Sequence, residues 1–169
     1  MAWPISAGMG RKPDLVLPRD KNDVTGATAA LNYGLPTLEP ALPGLLRWLR
    51  NPSWPVAGVI RPFFSTHGEA ALPHVKRALA SRDALWKANL LQTVVSHWDR
   101  ALVVELKPAL ELLVTVFDGS GTDLAAFELL VRHRISDPEW LRQWLEFKQK
   151  RWQALLDESR RLEDMLPSG

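Results

Sequence analysis

A chain of 169 residues, 46% hydrophobic and 24% charged, has the size and balance of one globular domain that closes a core without cross-links. It is neither a disordered nor a collagen-like chain. Lys and Arg number 21 against 19 Asp and Glu, so the formal charge is +2. The pI of about 9.2 then reflects a flat titration curve, with no general electrostatic drive toward nucleic acid or anionic membrane. The absence of cysteine excludes disulfides, thiolate nucleophiles, Cys-type zinc sites and iron–sulfur clusters.

Residues 1–16, with Pro4, Gly8, Gly10 and Pro13, read as an irregular arm. They hold no apolar run of the ~7–15 residues that a secretory signal needs, and no stretch of ~18 apolar residues follows anywhere. The expectation is a soluble, cytoplasmic protein without membrane association.

Beyond the arm, apolar residues recur with a helical period. Leu42, Leu45, Leu46 and Leu49 follow i, i+3, i+4, i+7, and close variants hold for Leu72, Val75 and Leu79, for Leu90, Leu91, Val94 and Val95, and for Leu106, Leu110, Leu113 and Val114. Capping residues punctuate the pattern. Asp20 or Asp23 precedes the first helix, Ser53 the third, Asp83 the fifth, and Thr122 or Asp123 a later one. Pro55 suits a first turn, Thr66/Glu69 and Ser136/Glu139 have capping-box spacing, and Gly34, Gly68, Gly119 and Gly121 mark stops. The predicted helices run over 23–33, 36–50, 54–66, 69–81, 83–98, 101–116, 123–135 and 137–165.

An internal repeat overlies these elements. Leu42-Pro43 recurs as Leu72-Pro73, Arg47 as Arg77 and Leu49 as Leu79, each thirty residues on. After one extra residue Ala57 matches Ala88, Val59-Ile60 matches Leu90-Leu91, Phe63-Phe64 matches Val94-Val95 and Ser65 matches Ser96, with a fainter copy at Leu106-Lys107-Pro108. A hairpin of this length cannot bury its own apolar stripe, so stacking of neighbours completes the core. The predicted fold is therefore all-α, a HEAT-like α-solenoid of stacked helical hairpins over 17–136. A long C-terminal helix over 137–169 packs on or extends it. In that helix Leu141, Leu145, Lys148, Trp152, Leu155, Ser159, Leu162 and Leu166 follow a 4-3-4-3 spacing. Lys148 and Ser159 spoil a dry coiled-coil seam, which favours a cap over a helix pair.

The runs LPRDKND at 17–23, WPVA at 54–57, STHGEAALPHV at 65–75 and DALWKANLL at 83–91 together resemble a small bacterial family classed as a domain of unknown function, HEAT-like in character. The resemblance covers about 17–116. The family has no established catalytic residues to carry over. Its members are similar in size and helical character to the immunity proteins that bacteria encode beside toxins, which implies a protein that binds and neutralises a cognate toxin.

Candidate chemistry is sparse. No two of His67, His74, His97 and His133 stand at i, i+4, and the helix-end histidines His67 and His97 read as satisfying local carbonyls. The loop Asp118-Gly119-Ser120-Gly121-Thr122-Asp123 fails as a calcium loop, because Asp123 and Leu129 stand where a Gly and a bidentate Glu are needed. Glu105 and Glu111 are six apart and not clearly facing, and Asp99-Arg100 reads as solvated surface. No catalytic residue, metal ligand or cofactor is assigned. Arg47, Arg50, Lys76 and Arg77 sit at comparable places in successive repeats and would form a basic ladder if their helices line a concave face. Trp48, Trp54, Trp86 and Trp98 read as core or helix-start packing, and Trp140, Trp144 and Trp152 as anchors of the last helix. The expected function is protein–protein recognition through the four basic residues, with a toxin as a possible partner. A nucleic-acid binder using the same ladder, or a hydrolase assembled from distant residues such as His74 or Asp99, are the alternatives.

Overall fold

A computed structural model describes residues 15–117 and 119–166. The arm expected over 1–16 thus lies outside the described residues except for its last two, and so does Asp118. Among the described residues the chain is all-helical, without strands. The helices are α1 (Val24–Leu31), α2 (Leu42–Leu46), α3 (Pro55–Thr66), α4 (Gly68–Leu79), α5 (Ala84–Thr93), α6 (Arg100–Val104), α7 (Lys107–Val114), α8 (Thr122–His133) and α9 (Pro138–Asp164). Single 3₁₀ turns occupy Glu39–Ala41, Arg47–Arg50 and Val95–His97. None of these helices is long and apolar enough to cross a membrane.

Proline explains two departures from the predicted boundaries. The helix expected over 36–50 is a 3₁₀ turn, α2 and a second 3₁₀ turn, since Pro36, Pro40 and Pro43 each remove an N–H from the ladder. The helix expected over 101–116 breaks because Pro108 offers no N–H to the carbonyl of Val104, and the chain restarts as α7.

The caps divide in the same way. Asp23 and Asp83 cap α1 and α5 as expected, accepting from the N–H of Gly26 and of Trp86 at 2.9 Å. Ser53 does not cap α3, whose N-cap is Trp54 followed by Pro55. Thr66 belongs to the end of α3, where its hydroxyl donates to the Pro62 carbonyl at 2.9 Å, so the expected capping box with Glu69 does not form. Gly68 opens α4 instead of closing a helix. A Cβ there would lie 2.5 Å from Leu102 Cδ1, so the glycine permits close approach of α4 and α6. Neither Thr122 nor Asp123 caps α8. Gly121, at φ 79°, holds that position, and the Thr122 hydroxyl donates to the Ala84 carbonyl at 2.8 Å, tying α8 to α5. Asp137 replaces Ser136 as the cap of α9, and the Ser136 hydroxyl donates to the Glu111 carboxylate. Asp99 is no idle surface group either. It caps α6 through the Leu102 N–H at 3.0 Å, while Arg100 Nε donates to the His133 carbonyl.

α1 packs on α3, α2 on α4, α4 on α6, and α8 on both α5 and α7. The repeat marks the core between them. Leu49 and Leu79, Ala57 and Ala88, Ile60 and Leu91, and Phe64 and Val95 are buried in both copies. Thr66-His67 and Ser96-His97, thirty residues apart, share one local arrangement. Each hydroxyl donates to the carbonyl four residues back and lies 3.0 and 3.1 Å from its neighbour's Nδ1.

The long helix is present as expected, 27 residues or about 40 Å. Leu141 and Lys148 are buried on the body, and Trp140, Trp144 and Trp152 are half-buried. Every residue from 153 to 166 is exposed. Lys148 is no surface residue. Its ammonium lies 2.5 Å from Asp123 Oδ2, 3.5 Å from the Val116 carbonyl and 4.7 Å from the Phe117 ring centroid.

Candidate functional site

The four basic residues all lie at the surface, and two of them share one groove. Arg47 opens the 3₁₀ turn after α2, and Arg77 stands in the last turn of α4. Because α2 packs on α4, both residues line one groove of about 180 Å³, together with Pro43, Leu46, His74, Ala78 and Trp86. Arg50 lies at its margin, with its guanidinium carbon 5.1 Å from the Trp86 ring centroid and its Nε 3.2 Å from Asp83 Oδ2. Lys76, one residue before Arg77, is turned by about 100° around the helix. It reaches toward α6, where Nζ lies 3.0 Å from Glu105 Oε2. Two of the four cations are thus matched by carboxylates. Arg47 and Arg77 have no carboxylate within ion-pair distance among the described residues.

Arg77 is held in place by its own helix. Nε donates to the Pro73 carbonyl at 3.4 Å, and Nη2 lies 2.6 Å from His74 Nδ1. Burial, and then the charge of Arg77, pull the His74 pKa below the ordinary histidine value, against a smaller opposing pull from Glu39. The imidazole is then neutral, and since guanidinium only donates, Nδ1 accepts and the ring proton sits on Nε2. Trp86 is pinned on two sides, through its capped backbone and through Arg50 over its ring. It is 9% exposed, and its indole N–H meets no acceptor among the described residues.

A larger cavity, about 400 Å³, lies between α5 and α8 and includes Gln92, Ser96, His97, Glu128 and Arg132. The Ser96 hydroxyl donates to the Gln92 carbonyl at 2.6 Å, so toward His97 its oxygen accepts from Nδ1. A nucleophile–base pair requires the reverse direction of that proton. His74 lines the groove with Arg47 and Arg77, and Asp99, which caps α6, lines a separate cavity with Thr66, His67 and Glu69. No group of three His, Asp or Glu suited to a metal occurs among the described residues.

Sequence reasoning placed Arg47 and Arg77 on one surface through the repeat. It missed Trp86 as part of the lining and the His74–Arg77 contact, although the i, i+3 spacing of the latter signals a shared helix face. It also missed the Lys148–Asp123 pair.

A family model described as a domain of unknown function, DUF5071, matches residues 16–128, and the chain belongs to that family. No curated protein matches it.

Proposed function

We propose that this DUF5071 protein is a non-catalytic protein-recognition module, a stack of HEAT-like helical hairpins whose binding surface centres on Arg47 and Arg77. Arg50 and Lys76 flank that surface. The observation that carries the reading is the convergence of two arginines lacking carboxylate partners on a groove also lined by a tryptophan. Arginine and tryptophan are the residue types that dominate interface energy when they cluster around a pocket. The stacking of α2 on α4 and α4 on α6, and of α1 on α3, supports the solenoid reading. The sharper form of the proposal is an immunity-type protein of the cytoplasm that occludes a cognate toxin.

A tagged pull-down from native cells, washed at low and high salt with and without nuclease, tests the reading. The expected result is one stoichiometric protein that survives nuclease and is lost from the Arg47→Glu/Arg77→Glu variant while the fold is kept. An enzyme whose activity is suppressed by the bound chain would establish the immunity form. Recovery of nucleic acid that washes off with salt would replace the proposal by phosphate binding.

A further inference from the structure

The groove between α2 and α4 is specific enough in size and chemistry to define what enters it. We infer that it is a receptor site for one carboxylate, an aspartate or glutamate side chain of a protein partner, gripped between the guanidinium groups of Arg47 and Arg77. This deepens the recognition reading above and rests on it.

Three observations converge. The first is donor supply. Arg77 has spent Nε on the Pro73 carbonyl and one Nη2 proton on His74, and its remaining protons and the whole fork of Arg47 carry no carboxylate among the described residues. Planar, partly pre-positioned guanidinium groups bind carboxylates bidentately with charge-assisted bonds. The neutral His74 ring, with its proton on Nε2, is a further donor-bearing residue of the same lining.

The second is volume. About 180 Å³ is the share of some six waters, at ~30 Å³ each, and falls below the ~300–1,000 Å³ of sites that enclose drug-sized ligands. A single acidic side chain fits. The apolar residues of the lining, Pro43, Leu46 and Ala78, suit the methylenes of that side chain.

The third is charge matching. A polyanion needs several cations in series, whereas Arg50 lies beside Asp83 and Lys76 beside Glu105. Two arginines without carboxylate partners on one groove match one carboxylate better than a run of phosphates.

The test titrates the isotopically labelled protein with glutarate, and in parallel with its neutral diamide, inorganic phosphate and a short thymidine oligonucleotide, following the indole N–H resonances. Trp86→Phe identifies the Trp86 signal. Glutarate should move that signal saturably and the diamide should not. Arg47→Gln and Arg77→Gln should each weaken binding about tenfold, the worth of one charge-assisted bond, and Lys76→Gln should leave it unchanged. Far-ultraviolet circular dichroism checks that the exposed-site variants stay folded. An unmoved signal, equal response to the diamide, or binding that persists in the double Gln variant overturns the inference. So does preferential displacement by phosphate or the oligonucleotide. If glutarate fails while Arg47→Glu/Arg77→Glu still abolishes capture of a protein in the pull-down, the carboxylate assignment falls and recognition through this surface stands. If capture also persists in that variant, both fall.

Discussion

Lys148→Met isolates the energetics of the one buried charge on α9. Lys148 is 0% exposed and its partner Asp123 is 6% exposed, so neither charge has water to fall back on. The ammonium is surrounded by Asp123 Oδ2 at 2.5 Å, the Val116 carbonyl at 3.5 Å and the Phe117 ring. Methionine keeps most of the stem and removes only the charge, which leaves the Asp123 carboxylate buried and unpaired. Breaking such a pair from one side costs about 3–5 kcal/mol. At about 2–4 °C per kcal/mol for a domain of this length, the melting temperature should fall by roughly 6–20 °C. Thermal circular dichroism reads that shift. Hydrogen exchange along α9 then shows whether the helix detaches first or the whole domain unfolds together. The companion Asp123→Leu/Lys148→Met variant removes both charges and should return close to the parent, because paired removal is near neutral. A single variant melting within about 2 °C of the parent, or a double variant no better than the single, would refute this account of how α9 is held.

Gly68→Ala should destabilise by about 1–3 kcal/mol through overpacking against Leu102 and Trp98; Leu102→Ala added to it should recover part of that loss in denaturant titrations, and no recovery would move the cause elsewhere. Burial first, then the charges of Arg132 and Arg100, lower the His133 pKa against a pull from Asp99. The unfolded chain therefore binds the proton more tightly, so stability is complete above the ordinary histidine pKa and declines as pH falls from it toward the folded value. His74 acts in the same direction. His133→Gln should flatten the decline in denaturant midpoint between about pH 7 and pH 5, and His74→Gln the remainder; an unchanged slope in both would exclude these groups as its source. Ending the chain after Trp152 removes only exposed residues of the described helix and should shift the melting temperature by no more than about 1 °C. A larger fall would mean that the segment packs on the body.

Local rules recovered what depends on local geometry. Asp23 and Asp83 stand immediately before the first helical turn, and both cap, Asp23 in preference to Asp20. Where two acceptors adjoin, as at Ser136-Asp137, either can cap in principle. The tertiary contact of Ser136 with Glu111 decides in favour of Asp137. The break before Pro108 is local chemistry that the apolar period from Leu106 to Val114 overrode in the reading. Lys148 lay beyond local reasoning altogether. A lysine in an apolar stripe interrupts it unless a buried acid lies opposite, and Asp123 is supplied by another helix, twenty-five positions earlier in sequence.

The same non-local logic determines which cations remain available to a partner. Two basic residues of the predicted ladder meet carboxylates on neighbouring elements. Asp83, at the start of α5, meets Arg50, and Glu105, at the end of α6, meets Lys76. No such acid faces Arg47 or Arg77 among the described residues, and these two are the pair related by the thirty-residue repeat. The repeat thus does more than build a core. It places one arginine from each copy on the same groove, with α2 packed on α4 to bring them together. A carboxylate introduced at Pro43, an exposed residue of the groove lining, would satisfy those arginines internally. Pro43→Glu should therefore leave the fold assembled but abolish glutarate binding, read by the Trp86 indole signal. Retained glutarate affinity in a folded Pro43→Glu variant would show that the two arginines are not the receptor.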